Sequence, residues 1–238
     1  STISRHVVLF QSDKSESPTP GPCDLVAQSH WNLLYGWAPG AAPLELPPQA
    51  GFPLDGQAHF VVQIHYNNIK HLSGQSDASG FDFCTTDQLR PYDAGAMVFG
   101  TESFTIPAQG SLSLSCDYTM PPTTPSLHVF SAFPHMHQLG RAISTVDVPA
   151  GGGAPEDLGA RPVWDFEDQV YVPVNATVSA GDVVRTHCQW QNPTANPVSF
   201  GPYTQNEMCF SYTMYYPRIT DPSWTWETPS NGSHCTQE

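Results

Sequence analysis

Short runs of β-branched and aromatic residues, each closed by Pro, Gly, Asn or Asp, dominate this chain and leave little helix-period patterning. In the second half, residues 103–106, 111–118, 127–133, 142–148, 162–166, 172–178, 183–190 and 208–216 all read as strands. Gly110, Gly181-Asp182 and Asn192-Pro193 supply turns between them. Eight short strands spaced by turn residues predict an all-β sandwich or jelly roll, not an α/β fold. The first half is less regular. Residues 3–10 and 59–66 read as strands, and Phe81 and Phe83 begin another. In 59–66, Phe60, Val62 and Ile64 form the expected apolar face, which leaves His65 on the other side. Residues 39–56 form an ordered connection, and the Gly- and Pro-rich 149–160 reads as a mobile loop. Residues 95–100 are the expected crossing between two domains, 1–96 and 97–238.

Composition narrows the partners. Eight Lys and Arg stand against 22 Asp and Glu, a formal charge of −14, with no basic patch. A phosphate backbone or an anionic membrane surface would be repelled, so no nucleic-acid partner is expected. No run reaches the roughly 18 apolar residues of a spanning helix, so no transmembrane segment is expected. The first residues already look strand-like, and the lack of a signal-peptide pattern decides nothing. The six cysteines, at 23, 84, 116, 188, 209 and 235, form no CxxC pair. They suit three disulfides; six reduced core thiols are the alternative. Asn175-Ala-Thr177 and Asn231-Gly-Ser233 are glycosylation sequons if the source is eukaryotic. Together these features favour a secreted or extracytoplasmic protein, periplasmic if bacterial.

The chemistry concentrates at Phe133-Pro-His-Met-His-Gln-Leu-Gly-Arg141. His135 and His137 stand two apart, so an extended backbone turns both imidazoles to one side. Pro134 places this pair at an edge or a strand end. Two imidazoles make half of a transition-metal site, and two surface histidines in a loop are the alternative. Met208, beside Cys209, is a candidate third ligand; a lone methionine is more often core filling. An imidazole–thioether set suits Cu(I) better than zinc or magnesium and leaves a position open for oxygen.

Four motifs then coincide: Leu-Leu-Tyr-Gly-Trp-Ala (33–38), Val-Gln-Ile-His-Tyr (62–66), His-Val-Phe…His-Met-His-Gln-Leu-Gly (128–140) and Asn-Glu-Met-Cys…Tyr-Thr-Met-Tyr-Tyr (206–216). In combination and order they resemble the copper type II, ascorbate-dependent monooxygenases, the group of peptidylglycine α-hydroxylating monooxygenase and dopamine β-monooxygenase. The resemblance covers nearly the whole chain. It implies two jelly-roll β-sandwich domains packed side by side across a cleft, with one copper each. The oxygen-activating copper would be held by His135, His137 and Met208. The electron-transfer copper would use His65 and an adjacent pair matching Arg5-His6. Arginine stays protonated and is not an ordinary ligand, so the first site would keep His6 and His65, recruit another histidine such as His30 or His71, or be lost.

The resemblance also implies bridges Cys116–Cys235 and Cys188–Cys209, with Cys23 and Cys84 left for each other or for partners upstream. Phe133 stands where the amidating enzymes carry the arginine that clamps a peptide carboxylate, and Phe210 replaces an asparagine. Tyr212 matches the pocket tyrosine, and Glu207 is a further pocket candidate. A small apolar or aromatic substrate, O2 and ascorbate or another reductant are therefore the expected partners. Two other readings stay open: a single-copper protein without the electron-transfer site, and a glycan-binding sandwich using Trp31, Trp37, Trp224 and Trp226 as platforms.

Overall fold

The computed structural model describes residues 4–21, 28, 30–54, 57–68 and 71–238. Its strands run in chain order as β1 (Ser4–Ser12), β2 (Trp31–Trp37), β3 (Ala50–Gly51), β4 (His59–Tyr66), β5 (Tyr92–Asp93), β6 (Gly95–Gly100), β7 (Thr105–Ile106) and β8 (Gly110–Thr119). There follow β9 (Leu127–His135), β10 (Gly140–Val148), β11 (Glu156–Arg161), β12 (Val172–Val178), β13 (Val183–Asn192), β14 (Val198–Ser199), β15 (Phe210–Tyr216) and β16 (His234–Gln237). One short helix, α1 (Thr228–Asn231), precedes β16.

The chain is predominantly β, as its turn-punctuated pattern predicts. Three larger sheets have the orders β2-β1-β4, β11-β10-β13-β8-β16 and β12-β9-β15-β6. The five- and four-stranded sheets face each other. Met97, Phe99, Leu127, Val129 and Tyr215 from one meet Tyr118, Leu158 and Val184 from the other in a single buried cluster. Strand β13 shows the underlying logic: Val184, Thr186, Cys188, Trp190 and Asn192 alternate inward, as the two-residue period requires. The three-stranded sheet docks on the four-stranded one through Phe10 and Leu33, which pack with Ala96 and Met214. Each large apolar side chain removed from water there contributes roughly 1.5–3 kcal/mol, so this seam ties the two halves together.

Two disulfides pin the second half. Cys116–Cys235 joins the directly paired strands β8 and β16, and Cys188–Cys209 ties β13 to the residue before β15. Cys84 is exposed and in no disulfide; its proposed partner Cys23 lies outside the described residues.

Several local expectations fail. Residues 156–161 form strand β11 instead of a mobile loop, and 162–166 form a turn instead of a strand. Leu158 explains β11: it is fully buried and anchors the strand against the core. Phe81 and Phe83 start no strand, and Phe83 is exposed. On β4 the faces are reversed, with Gln63 buried and Val62 43% exposed. As an edge strand, β4 turns Gln63 toward an internal cavity and leaves Val62 to solvent. None of the four tryptophans suggested as glycan platforms is exposed; Trp31 and Trp226 both lie against Phe10.

Candidate metal centre

Strand β9 ends at His135, and residues 136–137 follow it outside any ladder, just before the turn at 138–139. Met136 goes into the core beside Trp164, so His135 and His137 emerge on the opposite side. Pro134 is tolerated because β12 pairs with β9 only as far as Ala132, leaving β15 as the sole neighbour at that end. His135 is 5% exposed and His137 fully buried.

Both rings are held by Nδ1. His135 Nδ1–H donates to Gln169 Oε1 (2.7 Å), and Gln169 Nε2 donates to Phe166 O, which fixes the amide's orientation. His137 Nδ1–H donates to the Asn206 carbonyl (2.9 Å). These oxygens only accept, so the proton sits on Nδ1 and the Nε2 lone pair is left for another use. His137 Nε2 is buried with no hydrogen-bond partner. Leaving such a nitrogen unmet costs about 1–3 kcal/mol, a burden a bound metal ion would remove.

A third imidazole arrives from the other half of the chain. His6, near the start of β1, has its ring centroid 4.8 Å from that of His135 and 5.7 Å from that of His137. One ligand nitrogen from each of His6, His135 and His137 lies within 4.8 Å of the other two, the only such group of metal-binding side chains among the described residues. His65, opposite His6 on β4, follows at 5.6 Å from the His6 ring but is not part of that group. The expected partition of His6 and His65 to one site and His135 and His137 to another is therefore not what the structure shows. One candidate site takes ligands from both halves. Neither alternative histidine joins it: His30 contacts Glu16 at 2.9 Å, and His71 is exposed. The Arg5 side chain lies outside the described residues.

Burial sets the protonation states. It pushes His135 down to about 4, against the raising effect of Gln169, and His137 down to about 3, with repulsion from His135 adding to it. His65 is lowered by burial as well. These imidazoles are neutral at pH 7 and meet a metal without first losing a proton. Protons compete with metal only near or below a ligand's pKa. Lowering the pH from 7.5 to 5.5 is thus expected to weaken copper binding by no more than about tenfold, the effect of one ordinary imidazole, where three would give roughly a thousandfold. A competition titration with a chromogenic Cu(I) chelator at both pH values checks this.

Met208 lines the same cavity as His6 and His135, two residues before Phe210, which pairs directly with His135 across β15 and β9. The Cys188–Cys209 bridge anchors its neighbour. The cavity, of about 110 Å³, is walled by Phe133, Phe210 and Tyr212 and by Tyr171 and Trp226. Tyr171 packs on Phe133 at 4.7 Å and donates through its hydroxyl to the Gly36 carbonyl, joining the pocket to β2. At the margin stand Glu102 and Glu227, both raised by burial, with Glu102 adding to the rise at Glu227. Among the described residues, no Lys or Arg lines this cavity.

Glu207 is not a pocket residue. Its fully buried carboxylate accepts from the backbone N–H of His137 (3.0 Å), Leu139 (2.6 Å) and Met208 (3.3 Å) and from Trp190 Nε1 (3.0 Å). Burial pushes its pKa up to about 7, while these four donors pull toward the ionised form. It staples the His137 turn to the segment just before β15. Sequence reasoning missed Gln169, Asn206 and Tyr171, because a single glutamine, a backbone carbonyl and one tyrosine in a loop carry no pattern.

The family model "Copper type II ascorbate-dependent monooxygenase, N-terminal domain" matches residues 1–73, and its C-terminal counterpart matches residues 92–231. The chain is 31% identical over 203 residues to a tyramine beta-hydroxylase of Caenorhabditis briggsae, covering 78% of this chain and 34% of that protein. It is 28% identical over 236 residues to the dopamine beta-hydroxylase of Rattus norvegicus, covering 90% and 38%. To peptidyl-glycine alpha-amidating monooxygenase A of Xenopus laevis it is 29% identical over 192 residues, covering 78% and 20%. The chain thus spans 20–38% of the length of these relatives.

Proposed function

Because the chain belongs to the copper type II, ascorbate-dependent monooxygenase family, we propose that it hydroxylates a C–H bond of a small aromatic or apolar substrate. In that reaction one atom of O2 enters the C–H bond and the other leaves as water, with two electrons and two protons drawn from ascorbate or another reductant. The observation that carries this reading is the imidazole cluster of His6, His135 and His137, of which His6 and His135 line an aromatic cavity. The donor set fits copper: two imidazoles are preoriented through Nδ1, one buried nitrogen lacks a partner, and a thioether lines the adjoining space. Bound copper would supply the one-electron redox chemistry and open coordination that O2 reduction needs.

The residues around it do the rest. Phe133, Phe210, Tyr212 and Tyr171 exclude water and hold an apolar body against the His135 side. Glu102 and Glu227, with no Lys or Arg among the described lining residues, favour a positively charged group over a carboxylate at the far margin. An aromatic amine suits this space better than a peptide C-terminus, in keeping with the amine names of two relatives. We take residues 1–96 and 97–238 as two jelly-roll domains and the protein as extracytoplasmic, with Asn175 and Asn231, both exposed, open to glycosylation.

A second reading is favoured by the same cluster: a single copper shared by both halves, without a separate electron-transfer ion. Anaerobic Cu(I) titration with X-ray absorption separates the two, one equivalent supporting the shared site and two the paired sites. Met208→Ile keeps volume and removes only sulfur. It is expected to erase the sulfur shell and reduce ascorbate-driven O2 uptake about 100-fold or more, with an unchanged urea midpoint. Undiminished turnover would remove Met208 from the ligand set.

A further inference from the structure

A second cavity, of about 60 Å³, opens at the seam between the two halves. Gln11 from β1 and Asn32 from β2 meet Ala94, Gly95, Arg218 and Trp224 there. It shares the side chains of Leu33 and Trp226 with the aromatic cavity as a common wall. Its chemistry is the reverse. Among the described residues, the first cavity is lined by two carboxylates and no Lys or Arg; this one is lined by a guanidinium and no carboxylate.

Arg218 is the exception among the described arginines. Arg161 and Arg185 donate to carboxylates, and Arg90 and Arg141 to backbone carbonyls. The Arg218 side chain has no hydrogen bond or ion pair among the described residues, and its Nε is buried without an acceptor. Trp224 and Tyr215 also line it, the indole N–H directed at the Tyr215 hydroxyl. None of the described acidic residues lines this cavity. A buried guanidinium N–H is costly when unmet, and none of the described residues supplies its acceptor.

We infer that this seam cavity binds a small carboxylate-type anion through Arg218. The planar guanidinium fork matches a carboxylate's two oxygens. The space holds a few water-sized groups, at about 10–15 Å³ each, which fits a two-carbon acid and excludes a nucleotide. The Gln11 amide is a further donor at the first-half wall. The anion would touch both halves of the chain and so bind the docked form better than the separated one.

The inference stands apart from the monooxygenase reading, and its test needs neither copper nor turnover. The whole chain, labelled with 15N-arginine, is titrated with sodium acetate against sodium chloride at equal ionic strength, following the Arg218 Nε–H resonance. That signal is assigned by its loss in Arg218→Lys. A saturable shift with acetate, absent with chloride, is expected. Calorimetry on Arg218→Gln should show acetate binding weakened about tenfold or more. A linear drift identical for both salts, or unchanged acetate affinity in Arg218→Gln, overturns the proposal and leaves water as the cavity's occupant.

Discussion

His137→Ala is expected to weaken Cu(I) binding by at least about 100-fold and to abolish ascorbate-driven oxygen uptake, while the chain still folds. The imidazole is fully buried, its Nδ1 is spent on the Asn206 carbonyl, and its Nε2 has no protein partner. That arrangement wastes a nitrogen unless a metal takes it. Truncation removes the ligand and relieves the unmet lone pair together, so the loss in stability should be smaller than for an ordinary buried side chain of this size. His187→Ala is the control. That histidine sits on the outer side of β13, bonded to Ser113, and its loss should leave metal content unchanged. A Cu(I) affinity in His137→Ala within threefold of the parent would show that the metal, if any, binds elsewhere.

Glu207→Ala is expected to be the most destabilising single substitution near the site, at about 3–5 kcal/mol. It strips the acceptor from three backbone N–H groups and the Trp190 indole at once, all but the Leu139 bond buried. For a chain of this length that lowers Tm by roughly 10 °C. Glu207→Gln keeps the volume but turns an NH2 donor toward other donors, so its cost should fall between parent and alanine. Urea unfolding of the metal-free protein measures all three. If Glu207 served the substrate pocket instead, alanine would raise KM and leave the urea midpoint where it was.

The sequence made the second half legible because there the apolar period of two survives in strands covered on one face, as in Val184, Thr186, Cys188 and Trp190. The His135–Met136–His137 alternation was readable for the same reason. Strand β11 was not: Glu156-Asp-Leu-Gly-Ala-Arg161 has low strand propensity, and only tertiary burial of Leu158 explains it. The aromatic-rich 162–166 misled in the opposite direction, since Trp164 and Phe166 are buried from a turn. The largest surprise, His6 beside His135 and His137, could not be read from spacing at all. It depends on how one sheet docks on another, through Phe10, Leu33, Ala96 and Met214, and no local pattern encodes that angle.

The Gly36–Tyr171 hydrogen bonds and the Gln169–Pro39 contact fasten β2 and the residues just after it to the segment that orients His135. Loading with metal is therefore also a report on assembly. Two fragments produced separately from residues 1–96 and 97–238 should each chelate poorly, and tight chelation should return only when they recombine into one particle.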